Sequence, residues 1–529
     1  MKLLFSIILI SFILSPNLFT QTDDELLDSL QLSAFRFFWY EANPLNGLIK
    51  DRNTSWSPSS IASVGFGLSA ICVGVDRGWV AREAARDRVL TTLKTFWQKP
   101  QGTAASGTIG YKGFFYHFLD MNTATRAWNS ELSSIDTGLL LAGILDAQQY
   151  FIGADSIETL IRALSDSIYR RVDWNWMRNY NSGIMMEWKP ETQFGTKGYW
   201  IGYNEAMILY ILALGSPTKP VPTTAWQAWT SGYTWETYYG YSYIPFPPLF
   251  GHQYSHCWVD FRNIRDVYMQ WRGIDYFENS RRATLAQRAY CIDNPGNFVG
   301  YSDSVWGLTA SDGPTGYAAR GAPPAFNDDG TITPTAAISS IPFTPEQSLA
   351  VAHKLYNTFR PQLWTNYGFR DAFNLKVNWW GPDVIGIDQG PIIVMIENYR
   401  TQSVWNRFMN SPYIQLGLQH AGFEPITDVN ELSTSISDFK LFQNYPNPFN
   451  PVTTIQFDIP KAAQVTLKVY DVFGREVAIL IDGQETAGKH NIEFRTSSTE
   501  AGFELSSGIY FYQLRAGTFV QTKKLLLMK

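Results

Sequence analysis

Residues that bind metals or carry redox chemistry are scarce in this sequence. Its 529 residues include three cysteines, Cys72, Cys257 and Cys291, and six histidines. The cysteines make no CxxC spacing, which excludes a zinc ribbon or a dithiol redox site. Buried free thiols are the expected state, and Cys257 with Cys291 is the one pair read as a candidate disulfide. His117, His252 and His256 are read as forming no ligand set, so neither a metal nor a cofactor is expected. Charge is sparse too. Charged residues make up 17% of the chain, and 42 Lys+Arg against 47 Asp+Glu give a net charge of -5. No basic run stands out, and nucleic acid is excluded as an expected partner. The GxSxG elbow of serine hydrolases, phosphate loops and dinucleotide fingerprints are all missing.

Long apolar runs are missing as well, with one exception. Lys2 is followed by an apolar run from Leu3 to Leu14 that ends at Ser15-Pro16. Such a run is too short to span a bilayer comfortably, and it reads as a secretory signal peptide over residues 1–21. The remainder is expected to be an exported, soluble monomer.

Aromatic side chains, by contrast, are abundant: 19 Trp, 28 Tyr and 34 Phe, or 15% of the chain. Most are expected in a core, but indole and phenol rings also stack on sugar faces. From residue 22 to 425 the apolar spacing is helical. The segments "DELLDSLQLSAFRFFWYEA" (24–42), "WVAREAARDRVLTTLKTFWQK" (79–99) and "DSIETLIRALSDSIYRRV" (155–172) are two-faced. The segments "SSIASVGFGLSAICVGV" (59–75) and "DTGLLLAGILDAQQYF" (136–151) are apolar all round, as helices buried on every side are. The alternation predicts concentric rings of helices, a mostly α fold of the (α/α)6 toroid type. Segments rich in Trp, Tyr, Gly and Pro interrupt it at 187–200, 223–256 and 306–337, and long loops usually carry function. Residues 426–438 are polar and aperiodic, a linker. Residues 439–529 switch to short β-type runs between Gly, Pro, Asn and Lys turns, which predicts a small all-β sandwich.

Two sets of motifs carry family resemblances. In the tail, "LFQNYPNPFNPVTTIQFDIP" (441–460), "VTLKVYDVFGREV" (465–477), "LSSGIYFYQLRAG" (505–517) and the closing "KKLLLMK" resemble the C-terminal sorting domain of the type IX secretion system. The resemblance implies that secretion machinery as a partner, with transport across an outer membrane, removal of the tail, and release or attachment at the cell surface. In the larger portion the motifs are "ELSSIDTGLLLAG" (131–143), "GYNEAMILYILALGSPTKP" (202–220), "WGLTASDGPTGY" (306–317), "YGFRDAFNL" (367–375) and "NWWGPDVIGIDQGPIIVMIENYR" (378–400). These resemble the bacterial glycoamylase-like family that includes endo-β-1,2-glucanases. That resemblance implies the (α/α)6 fold, a glucan substrate and inverting endo-hydrolysis of β-1,2-glucan. An exo-acting β-glucosidase or sophorose-releasing enzyme, a non-catalytic glucan-binding protein and a polysaccharide lyase are the alternatives.

Inversion needs a protonated acid at the leaving oxygen and a base that activates water from the other side. Glu205, in "YNEA" within the first turn of an apolar helix, is the acid candidate. A helix N-terminus favours its ionised form by roughly 0.3–1 kcal/mol, but burial beside Trp200 and Tyr203 opposes this and can be the larger effect. Asp388, in "GIDQGPI", reads as an N-cap at a Gly-Pro helix start, where a low pKa suits a base. Asp136 competes for that role, although "SSID" from Ser133 also reads as a capping-box-like pattern. Glu131 stands five residues earlier, about 140° around a helix, so the two are not expected to face one point. The family motifs further make Glu131, Trp306, Asp312, Arg370, Asp371, Trp379 and Trp380 substrate-binding candidates. Asp312 is read as ordering a turn or binding a hydroxyl. Arg370 and Asp371 either pair with each other or hold sugar, and one of Trp379 and Trp380 is a candidate stacking platform.

Overall fold

The computed structural model describes residues 21–426, 439–444, 446–496 and 505–528. The expected signal peptide, all but residue 21, and the expected linker, all but residue 426, lie outside the described residues. The larger portion is helical. Its first half holds α1 (Asp23–Tyr40), α2 (Ile61–Asp76), α3 (Arg82–Gln98), α4 (Ser134–Tyr150), α5 (Ser156–Arg170), α6 (Met207–Leu214) and α7 (Thr224–Thr230). Its second half holds α8 (Val267–Arg272), α9 (Tyr276–Asp293), α10 (Pro334–Ile338), α11 (Pro345–Leu363), α12 (Gly386–Thr401), α13 (Ser403–Met409) and α14 (Pro412–His420).

The arrangement is the helical toroid that the alternation predicts. The helices with apolar residues all round form its inner wall: α2 packs against α4 and α12, and α4 also packs against α6. Every residue of α2 from Ile61 to Gly74 is buried, as is the whole of α6. The two-faced helices α3 and α5 pair outside them. Glycine lets α2 and α4 approach closely. A Cβ on Gly143 would lie 1.9 Å from the Gly65 carbonyl oxygen, and one on Gly65 would lie 2.3 Å from that of Leu139.

The segment 223–256 is more ordered than the sequence suggests. Its opening residues form α7, with Trp226 and Trp229 in the core. A hairpin of Glu236–Tyr238 with Tyr241–Tyr243 follows. Burial of the two indoles supplies the helix stability that local propensity does not. At the end of the helical portion, Glu424–Pro425 pairs antiparallel with Ile264–Arg265. All three cysteines are buried and free.

The tail contains β1 (Lys440–Leu441), β2 (Val452–Ile459), β3 (Ala463–Tyr470), β4 (Glu476–Glu485), β5 (Gly488–Arg495), β6 (Gly508–Ala516) and β7 (Phe519–Leu527). One sheet runs β1-β2-β5 and the other β4-β3-β6-β7. Alternate residues such as Val465, Leu467 and Val469 point to one face and meet Ile455 and Phe457 of the other sheet. This core is separate from that of the helical portion.

Candidate active site

Three carboxylates stand where inner helices begin. Asp136 is the third residue of α4. Ser133 caps that helix: its Oγ accepts from the Asp136 N–H at 3.2 Å and donates to Asp136 Oδ2. Asp388 is the third residue of α12, whose N-cap is Ile385. It is therefore not the cap that the sequence suggests. Glu205 lies two residues before α6, one step outside the first turn where the sequence places it. Asn204 holds this turn by accepting from the Ala206 N–H at 3.0 Å. Ser255 Oγ then ties it to the wall, donating to the Glu205 carbonyl at 3.2 Å and accepting from the Ile208 N–H at 3.0 Å.

The environment separates these acids. Glu205 is only half-buried as a residue, but its Oε2 is sealed from solvent and has no hydrogen-bond partner among the described residues. Burial, aided by the charge on Asp136, pushes its pKa up to about 7. Asp388 and Asp371 are buried and close enough for each to shift the other's titration. Two buried neighbouring carboxylates repel when both are ionised, which favours retention of a proton by the pair. Burial and then the charge on Asp371 drive Asp388 well above the usual carboxylate range, and burial brings Asp371 to about 7. The low pKa expected of Asp388 is thus overturned, because the pair is desolvated and self-repelling. Asp371 Oδ2 also accepts the Asp312 N–H at 2.6 Å.

A cation anchors each flank. Arg52 Nη1 lies 3.0 Å from both Asp312 Oδ2 and Asp383 Oδ2, and its Nε 3.2 Å from Asp51 Oδ2. His117 Nδ1 lies 3.0 Å from Glu131 Oε1, and its Nε2 3.8 Å from Asp136 Oδ2. Burial alone would discharge the imidazole, but Asp136 and Glu131 outweigh it and raise its pKa to about 9. Against its own burial, Glu131 is held down to about 2 by that imidazolium. Glu131 and Asp136 therefore do meet at one point. Glu131 precedes α4 and its flanking strand Leu132–Ser133, so helical spacing does not apply to it.

Tyr254 and Tyr317 lie close enough to these acids to feel their charge. Tyr254 is buried and lies in the fields of both Asp388 and Glu205, which link the two halves of the site. Tyr317 is 57% exposed. Enclosure of its oxygen, with the charges of Asp388, Asp371, Asp51 and Asp312, keeps its phenol protonated as a donor. The other candidates divide. Asp312 belongs to the cluster through Arg52. Arg370 does not pair with Asp371; its guanidinium donates to the carbonyls of Gln362, Gly381 and Pro382 and fastens the chain there. Trp306 is completely buried and cannot stack on a sugar. Trp379 and Trp380 form a short strand against Phe373–Asn374, and Trp380 lies flat on Phe373 at 5.4 Å. Sequence reasoning missed Asp51, Arg52, His117, Tyr254, Tyr317 and Asp383. The Asp51-Arg52 doublet and the Asp383 of "GPDVIG" were available signals. His117 has no metal-ligand spacing, and its carboxylate partners Glu131 and Asp136 lie 14 and 19 residues away, so its role becomes visible only in the fold.

Comparison with known proteins agrees with this architecture. Residues 197–412 match the Glycoamylase family, described as "Putative glucoamylase", and residues 443–528 match the secretion system C-terminal sorting domain. An exo β-1,2-glucooligosaccharide sophorohydrolase (non-reducing end) of Parabacteroides distasonis is 34% identical over 439 residues, covering 77% of this chain. The chain spans 59% of that relative's length. The endo-β-1,2-glucanase of Chitinophaga pinensis, solved with sophorotriose and glucose, is 31% identical with a TM-score of 0.70; the match covers 76% of this chain and 99% of that one. A Bacteroides uniformis structure carrying the glucoamylase description is 37% identical with a TM-score of 0.71, over 76% of this chain and 98% of that one.

Proposed function

The chain belongs to the glycoamylase-like family of glycoside hydrolases, and from that premise we propose that it is an exported enzyme that hydrolyses β-1,2-glucan by inversion, with Glu205 as general acid. One observation carries the assignment. Glu205 Oε2 is buried without a partner, and its pKa is raised to about 7. A carboxyl in that state holds its proton near neutral pH and can give it to the glycosidic oxygen. The base is Asp388 acting with Asp371. The pair carries one shared proton and, once singly ionised, a single negative charge. Its raised proton affinity makes it a stronger base toward water than an ordinary carboxylate. Arg52 neutralises the acids behind it. Tyr317 donates to a sugar hydroxyl, and buried Tyr254 feels the charge of both acid and base. The family's endo-glucanase favours cleavage within the chain. The 34% match to a sophorohydrolase favours a second reading, release of disaccharide from the non-reducing end. The sorting tail carries the protein to the cell surface or the medium.

The test is Glu205→Gln, which keeps the size but cannot supply the proton. Turnover of β-1,2-glucan is expected to fall by about 10²–10⁴-fold or more, with oligosaccharide binding retained by calorimetry. Parental turnover in this variant would remove Glu205 from the mechanism. Asp388→Asn and Asp371→Asn are expected to be slow as well. If Asp136→Asn is inactive while Asp388→Asn is not, Asp136 is the base. Early products of mixed length point to endo action, and sophorose alone to the exo reading. A parent that binds glucan and cuts none would make this a binding protein.

A further inference from the structure

A cavity of about 440 Å³ is lined in part by Tyr40, Lys50, Trp56, Asp120, Asn122 and Trp128. Its size falls within the ~300–1,000 Å³ range of small-ligand clefts. Its aromatic rings face water: Tyr40 is 68% exposed, Trp56 64% and Trp128 62%. Isolated exposed aromatics need no explanation, but three around one cavity make a patch. The two indoles lie 6.3 Å apart between centroids with planes inclined by 40°. Trp128 and Asn129 moreover hold φ of 54° and 56°. That left-handed conformation is unfavourable for a bulky side chain and persists only where the surroundings enforce it. The fold therefore holds an indole in solvent through an unfavourable backbone and gains little burial in return.

The cavity adjoins the carboxylate cluster by two routes. Trp128 packs on Phe118 at 5.4 Å, and Phe118 stacks on His117 at 3.9 Å. On the other side, the residues after Trp56 hold the Asp51-Arg52 segment: Ser57 Oγ accepts the Arg52 N–H at 3.1 Å, and the Pro58 carbonyl accepts the Asp51 N–H at 2.8 Å. The rim is polar. Asp120 receives Asn122 N–H, Thr123 N–H and Thr123 Oγ on Oδ1, and no hydrogen bond among the described residues reaches Oδ2. Exposed indole faces suit the C–H surfaces of a sugar ring, and a carboxylate oxygen suits its hydroxyls.

We propose that this cavity is a distal glucosyl subsite, where Trp56 and Trp128 stack on a sugar unit of the same glucan chain whose scissile bond lies at Glu205. The proposal rests on the glycoside-hydrolase reading and adds a chain-length preference to it. The contact is non-covalent and acts on binding, so its signature is how activity rises with substrate length. In the full chain, Trp56→Ala with Trp128→Ala is expected to lower the ratio of kcat/KM for long β-1,2-glucan to that for the shortest cleaved oligosaccharide by about tenfold or more, the scale of truncating buried aromatic anchors. Trp128→Phe, which keeps a ring, should restore most of the ratio. Both side chains are exposed, so unfolding midpoints should match the parent.

If the parent cuts glucan and the double variant keeps the parental ratio, the subsite is overturned while the hydrolase reading stands. If the parent cuts no glucan of any linkage, the hydrolase reading falls. The cavity is then judged by tryptophan fluorescence with β-1,2-glucooligosaccharides. Quenching in the parent that is lost in the double variant supports a sugar site, and absence of quenching in the parent overturns it.

Discussion

At the scale of single residues, the raised pKa of Glu205 has a consequence for stability and, under its proposed role, for rate. Its value of about 7, against an ordinary 4.5, means that the folded protein holds this proton more tightly than the unfolded chain. The associated stability is fully present below about pH 4.5 and is lost as pH rises through 7. Glu205→Gln removes that titration. The variant is expected to differ from the parent by a constant amount at low pH. Above about pH 8 it should gain on the order of 1–3 kcal/mol relative to that baseline. Denaturant midpoints at pH 4 and pH 8 measure this, and a gap that is the same at both would contradict the buried-acid assignment. With Glu205 as the proposed general acid, kcat/KM of the parent should fall on the alkaline side with an apparent pKa of about 7.

At the scale of elements, the inner helices position the site because they are packed without slack. The contact of α2 with α4 is backbone on backbone at Gly65 and Gly143, with 1.9 Å left for a Cβ on Gly143. No rotamer change can relieve that overlap, so the helices must separate. Gly143→Ala is expected to destabilise by about 2 kcal/mol or more. It should also slow turnover, since α4 carries Asp136 and, through Ser133, the strand beside Glu131. Gly102→Ala is the control: its nearest foreign atom would be 3.8 Å away, and its urea midpoint should match the parent's. Equal midpoints for both variants would show that the wall yields more easily than its packing implies.

At the scale of the whole molecule, the two cores make a modular protein. Leu26 through Phe423 build one cluster, and Leu441 through Leu527 another. A fragment of residues 21–426 is therefore expected to unfold in one transition and keep parental activity. The cut must follow Ile426, whose N–H bonds to the Asn263 carbonyl at 2.8 Å and whose neighbours Glu424–Pro425 complete a strand pair. Loss of soluble folded protein from this fragment, detected by circular dichroism and gel filtration, would mean that the tail contributes to the larger core. The tail's role lies in export, through a sorting domain that matches residues 443–528.

The sequence by itself determined the character of several elements and pointed to one candidate residue. The all-apolar runs at 59–75 and 136–151 announce α2 and α4, because a helix buried on every side records that burial in its own composition. The change of period after residue 439 announces the sandwich for the same local reason. Glu205 is legible as a carboxylate set against an apolar segment. Only the tertiary structure decided the electrostatics. Arg52 meets Asp312 and Asp383 across separations of 260 and 331 residues. Asp371 finds Asp388, and Glu131 finds Asp136 through His117. It likewise sent Trp306 to the core and left Trp56 and Trp128 in solvent. Periodicity reports which side of an element is buried, but not which elements meet. Charge coupling depends on the distances between groups far apart in the chain, and those exist only once the ring of helices has closed.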